Sequence, residues 1–400
     1  MVVKPMFFSR KGTWTVLIMV LSFIFLFLVC CNTVEGENRP FGQQSMADVP
    51  EDIPLRYARR FTLKRVGTST LIDVVKPAGA KLGVSYRYLL VPRGESVPEG
   101  FPEALVVSTP VERVTCGIGL HITMLRLLGE FESIVGVGKK EWIGNETILE
   151  RIDSGKVLET GLSGSMNMET MVNLSPDIAF VYSSGSDTDV HEKLEAMGIK
   201  PGLSSMHLEG HPLGVLEWIK FFGAFFGKSD DADAYFADAA FRYETLERQV
   251  GERFGKRPGV IVGQGKRGFW STHGSSAWFV RLLHDAGANY ILEESTDYEE
   301  NPISFEHAMK IGLVADYWIN PLYTATSIAD IINSDSRYTH FFSVKEGNVY
   351  NNNAAAFDSG RNMFWEIGMS EPDAVLRDLV HIFHPEILPI HRLKYYKRLH

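Results

Sequence analysis

The stretch GQGKRGFWSTHG (residues 263–274) sets two cations, Lys266 and Arg267, side by side among glycines, directly after the apolar run Gly259–Val262. Two adjacent charges rarely serve a core. A guanidinium presents a planar fork and an ammonium a compact point charge, so the pair suits an anionic ligand bearing carboxylates or catecholates. A solvated turn uses the same residue types. Gln264 and Trp270 beside them add an amide and an apolar plate. A second cluster lies in MHLEGHPLG (206–214), where His207 and His211 stand four apart. On a helix both imidazoles would share one face, as a metal pair needs, and His121 could join them. Gly210 and Pro212 favour a loop instead. No Ser, His and Asp order suggests nucleophilic catalysis, and GQGKRG lacks the spacing and terminal Ser or Thr of a phosphate loop. The residues describe a binder; a metal-dependent enzyme built on His121, His207 and His211 is the alternative reading.

These side chains need elements to position them. SGSMNMETMVNLSPDIAFVYSSGS (163–186) is the clearest guide. Met168, Met171, Val172 and Leu174 recur at helical spacing. Asn167 can cap that helix, and Glu169 sits in its first turn, where a carboxylate favours the amino-terminal dipole. Pro176 disfavours helical geometry at Ser175. Ile178–Tyr182 is then a near-continuous apolar run, the signature of an interior strand of a parallel sheet. In such sheets ligands sit beyond the carboxyl ends of the strands. The spacing therefore predicts that Tyr182 and the serines after it approach a ligand site.

The first thirty residues are not fold. Lys4, Arg10 and Lys11 precede an apolar stretch from Trp14 to Val29, which Cys30 and Cys31 close. This is a secretory signal pattern. It also resembles a bacterial lipobox, with Cys31 as the lipidated residue and Cys30 as the alternative acceptor. An uncleaved membrane anchor is the other reading, although the run is near the short end of the ~17–25 residues that span a bilayer. Residues 32–52 are polar and aperiodic, as in a flexible tether. Some 350 residues remain, about two domains, and at 45% hydrophobic they can bury two cores. The net charge of −9 argues against a nucleic-acid partner. Beyond the signal only Cys116 is left, which excludes a disulfide and a cysteine zinc site; a lone thiol in an oxidising compartment must be buried.

Short β-prone runs (Tyr57–Leu63, Leu71–Val75, Tyr86–Val91) precede an α/β lobe. From Leu213 to about Arg253 there is no strand signal, only apolar residues at helical spacing. A second α/β lobe starts at Gly259, and its helix followed by Asp316-Tyr317-Trp318-Ile319 weakly repeats the helix and acid-led strand of the first. The expected fold class is α/β, with two lobes joined by a long helical backbone and a ligand cleft between them. The boundaries are 1–31 signal, 32–52 tether, 53–210 first lobe, 211–256 helical linker, and 257–400 second lobe with a helical tail.

Signal, tether, lobe, helical bridge and lobe in that order resemble the substrate-binding proteins of ABC importers, in the subgroup with a rigid helical backbone. Three segments carry the likeness: MNMETMVNLSPDIAFVY, VERVTCGIGLHITMLRLLGEFESIVGVG and FSVKEGNVYNNN. The tail IFHPEILPIHRLKYYKRL looks like the lipid-anchored version of Bacteroidetes-type bacteria. The resemblance implies a transported ligand rather than a cofactor: an iron complex (siderophore or haem), or cobalamin. A related group binds bare zinc or manganese. It also implies a permease dimer with its cytoplasmic ATPase as partner, a monomeric protein, and a lipid-anchored, periplasmic location. It places ligand-facing residues at the cleft: His121, Trp142, Met166 and Tyr182 from the first lobe, and Gln264, Lys266, Arg267, Trp270, Tyr323, Asn353 and Arg361 from the second. Trp142, Trp270 and Tyr323 equally suit a packed core. For docking to the permease it implies one acid per lobe, near Asp187, Asp189 and Glu192 in the first, with Thr188 at the matching position itself, and Asp330 in the second. Helix capping is the other use of Asp187 and Asp189.

Overall fold

The computed structural model describes residues 49–75, 86–183, 189–253, 255–292, 300–322 and 324–400. Cys30, Cys31, the tether up to residue 48, Asp187, Thr188 and Tyr323 lie outside the described residues, and of Lys266 only the backbone is described.

Five strands open the described chain: β1 (Glu51–Ile53), β2 (Phe61–Val66), β3 (Ser69–Val74), β4 (Tyr86–Pro92) and β5 (Leu105–Thr109), paired in chain order. Phe61 and Leu63 of β2 are buried while Thr62 and Arg65 between and beyond them are exposed, so one face seals the main core. The other face holds a small core of its own around Val66, Leu71, Leu89 and Val91.

The first α/β unit follows: β6 (Val114–Cys116), α1 (Gly119–Leu127), β7 (Ile134–Val137), α2 (Glu146–Asp153), β8 (Leu158–Glu159), α3 (Met168–Leu174), β9 (Ile178–Tyr182), α4 (His191–Ala196) and β10 (Pro201–Ser204). The strands are parallel in the order β10-β9-β6-β7-β8, so β9 is interior, as its apolar run requires. The Asn167 side chain accepts the Thr170 N–H at 3.1 Å and starts α3. Ser175 ends it in the left-handed region at φ 44°, just before Pro176. Asp177 then accepts the backbone N–H groups of Glu112 and Arg113, which fixes the entry to β6. Cys116 is fully buried, and burial pushes its thiol pKa up, so it is an inert core residue.

Three helices cross to the second unit: α5 (Pro212–Glu217), α6 (Ile219–Phe226) and α7 (Ser229–Glu252). Phe221, Phe222, Phe225 and Phe226 of α6 are all buried. The buried Glu217 carboxylate accepts the N–H groups of Arg56, Tyr57 and Ala58 at 2.9, 2.7 and 2.9 Å, and Glu209 accepts those of Arg59 and Arg60. Two carboxylates thus strap the chain ahead of β2 to the bridge.

The second unit contains β11 (Gly259–Val262), β12 (Gln264–Lys266), β13 (Phe269–His273), α8 (Trp278–Asp285), β14 (Asn289–Tyr290), β15 (Glu300–Ser304), α9 (Phe305–Gly312), β16 (Tyr317–Ile319), α10 (Ile328–Ser334), α11 (Phe342–Lys345), β17 (Val349–Asn351), α12 (Pro372–Phe383) and β18 (Lys397–Arg398). Its main sheet runs β14-β11-β16-β17-β18, parallel except for β18, and β12-β13-β15 make an antiparallel sheet beside it. The chain is mixed α/β, as expected. The tail differs from expectation, because helix stops at Phe383. Asp378, fully buried, accepts the N–H groups of Lys394, Tyr395 and Tyr396, which fixes the bend at 394–395 that leads into β18.

Candidate functional site

The carboxyl ends of β6, β7, β9 and β10 open onto a cavity of about 960 Å3. The amino end of α1 (Gly117–Leu120), Trp142 and Lys139 beyond β7, Tyr182 at the end of β9, and Met206–Leu208 beyond β10 form one wall. The second unit supplies the other: His273 at the end of β13, Trp278 at the start of α8, and Arg361, Trp365 and Glu366 from the segment between β17 and α12. Trp142 is 60% exposed and Trp365 41%, unusual for side chains of this size, so both present open apolar faces.

His207 stacks on Tyr182, with centroids 4.0 Å apart and 26° between the planes. Burial pushes its pKa down to about 4, so the ring is neutral at ordinary pH. Glu366 is the acid of the cavity wall. Its Oε2 accepts the Gly144 N–H at 3.0 Å, from the opposite unit. Burial raises its pKa to about 7 against the opposing pull of that hydrogen bond and of Arg361 and Arg126; Glu146 raises it further.

Of the expected ligand-facing residues, Trp142, Tyr182 and Arg361 line this cavity. Others serve packing. His121 is fully buried between Phe180 and Phe222, with its pKa lowered to about 3 by burial. Trp270 is fully buried against Trp318 and Phe341, and its indole N–H donates to the Val262 carbonyl at 2.8 Å. Met166 packs against the main core, and the Asn353 amide donates to the Ala325 carbonyl. Gln264 lies on β12. Arg267 is exposed in a two-residue hairpin turn with Gly268, both at positive φ, the backbone of a type I′ turn. The cationic pair was expected on a cleft-facing loop. Instead it marks the hairpin tip, beyond Phe269, which is itself four residues along β13 from His273, or about 13 Å.

The histidine pair does not converge. His211 caps α5, accepting the Leu213 N–H at 3.1 Å, and its other nitrogen lies 3.9 Å from Asp285. Among the described residues no group of three or more His, Cys, Asp or Glu is placed to hold a metal ion. Of the docking acids, Asp189 accepts the Ser183 hydroxyl at 2.8 Å, Glu192 is exposed in the first turn of α4, and Asp330 closes a capping box with Ser327 at the start of α10.

Sequence reasoning missed Trp278, His273, Trp365 and Glu366. The signal was available for the last two: GRNMFWEIGM (360–369) is dense in aromatic, charged and glycine residues yet lacks any period, as a binding loop between a strand and a helix does.

A family model described as periplasmic binding protein matches residues 119–355, more than half of the chain. The chain belongs to that family, and by family and fold it is a solute-binding protein. Two uncharacterized lipoproteins of Methanocaldococcus jannaschii are similar to it. One is 24% identical over 314 residues, 75% of this chain and 73% of that one. The other is 24% identical over 329 residues, 79% and 81% of the two chains. These relatives lend no support to a Bacteroidetes type. Among solved structures, a periplasmic binding protein from Veillonella parvula superposes with a TM-score of 0.57 at 16% identity, covering 80% of this chain and 99% of its own. A periplasmic heme binding protein from Pseudomonas aeruginosa gives 0.52 at 18%, covering 69% and 93%. At such identities the likeness shows the two-lobed fold alone. No helix among the described residues is long and apolar enough to cross a membrane.

Proposed function

We propose that this protein is the substrate-binding component of an ABC importer and that it captures an iron complex, a siderophore or haem, between its lobes. The observation that supports this most is the cavity itself. Its volume of about 960 Å3 is at the upper end of the ~300–1,000 Å3 of small-molecule sites, far more than a bare ion needs. Trp142 and Trp365 offer flat apolar faces to a planar or aromatic ligand, and Lys139 and Arg361 offer cations to its carboxylates or catecholates. In this reading the protein binds its cargo and releases it unchanged. Cys31 anchors it to the membrane through lipid, a reading in keeping with the lipoprotein relatives. The permease with its ATPase is the receiving partner, met through exposed acids such as Glu192. Titration of the purified protein with haemin, a ferric catecholate chelate and cyanocobalamin, followed by tryptophan quenching, tests the reading. Saturable one-to-one binding of an iron complex supports it. Binding of cyanocobalamin alone would replace iron by a corrinoid, and binding of none of the three would remove the proposal.

A further inference from the structure

Glu366 belongs to the second unit but is buried in the first. Its carboxylate accepts the Gly144 N–H and lies against Gly119, the first residue of α1. A Cβ on Gly119 would stand 2.8 Å from the Glu366 Cγ, and one on Gly144 would stand 2.0 Å from the Phe357 ring. Both glycines thus leave room for the other lobe. The α1 N-cap, Ile118, contributes no side-chain hydrogen bond, so the acid sits where the helix end favours negative charge. Beside it the Asp358 N–H donates to Glu146 at 2.9 Å, a second bond across the lobes.

We propose that Glu366 is the positioning residue of the site, a proton-linked latch that holds the two lobes at the spacing that shapes the cavity. That this spacing governs cargo rests on the solute-binding reading above; the latch itself does not. In the latched state the carboxyl is withdrawn from water, with Glu146 of α2 opposing its charge and Arg126 of α1 and Arg361 of its own segment favouring it. Lys139 lines the same cavity from the opposite wall, and Glu217 of α5 is engaged with residues 56–58. Burial outweighs the favourable partners and moves the pKa from the usual 4.5 to about 7. The latched state therefore holds its proton more tightly than the open one. The latch is firmest below pH 4.5 and loosens as pH rises toward 7.

Hydrogen exchange of the full-length protein in detergent, without cargo, reads the latch through peptides spanning 138–150 and 357–369. After correction for intrinsic exchange rates, protection of the Gly144 amide should fall at least about tenfold between pH 5 and pH 8. Glu366→Gln keeps an acceptor without a titrating charge, so it should stay protected at both values. Glu366→Ala should be unprotected at both. Equal protection of the parent at the two pH values would overturn the proposal, as would loss of protection in Glu366→Gln to the level of Glu366→Ala. Because no cargo is present, a failure of the solute-binding reading would leave these outcomes untouched.

Discussion

Tyr182 and His207 lie ring on ring, 4.0 Å between centroids, where two adjacent strands, β9 and β10, deliver their chains to the cavity. The sequence brings Tyr182 there by ending α3 at Pro176 and running four buried residues straight to it. His207 arrives from a short turn that reads as loop. Neither ring nitrogen of His207 has a hydrogen-bond partner, and burial keeps the ring neutral, so it contributes a flat face rather than a charge. The cations of the wall are Arg361 and Lys139.

Arg361 should therefore set affinity for an anionic cargo. Losing one charge-assisted hydrogen bond removes about 1.5–3 kcal/mol, so Arg361→Ala should weaken haemin binding roughly ten- to a hundredfold. Arg267→Ala, at the hairpin tip, should bind like the parent. Fluorescence titrations of both variants at low and high salt check this.

Trp270 and Trp142 should respond to substitution in opposite ways. Trp270→Ala empties a fully buried site and should cost about 3–5 kcal/mol in urea unfolding. Trp142→Ala removes a ring that is 60% exposed, so stability should change by no more than about 0.5 kcal/mol while haemin affinity falls.

That separation shows where sequence is legible. The α3-turn-β9 segment could be read because capping, proline and apolar run are all local signals. GQGKRGFWSTH could not, because its glycines and cations read as loop whereas the register of β12 on β13 is what puts Trp270 inside. The tail was expected to be helical, but its conformation depends on Asp378, an acceptor 16 to 18 residues back whose role only the fold reveals. For Glu366 the aperiodic GRNMFWEIGM run marks a binding loop, but its contact with the other lobe was hidden for the same reason: its hydrogen-bond donor is 222 residues away.

His121 predicts a pH dependence with a definite sign. Its folded pKa of about 3 lies below the usual 6.5, so protonation favours the unfolded chain as pH drops below 6.5. His121→Leu removes that proton uptake. Relative to the parent it should gain about 1.4 kcal/mol of stability per pH unit below 6.5. Glu366 and Asp285, whose raised pKa values act in the opposite direction, cancel in the difference. Urea unfolding of both proteins from pH 7.5 to 4.5 tests this, and a pH-independent gap would contradict it.

Glu217→Ala should be among the costliest substitutions away from the cavity. It leaves three backbone N–H groups of residues 56–58 without their acceptor, at about 1–3 kcal/mol for each that stays buried. Glu217→Gln should recover part of the loss, since its single amide oxygen can still accept. Thermal unfolding of the two variants ranks them.

The central claim, that the cavity between the lobes holds an iron complex, is tested most directly by native mass spectrometry of the full-length protein purified in detergent from iron-limited cells. The account predicts one iron-containing chelate or haem per chain, largely lost in the double variant Trp142→Ala, Arg361→Ala. A polypeptide carrying only its lipid, or a cargo retained undiminished by the double variant, would contradict it.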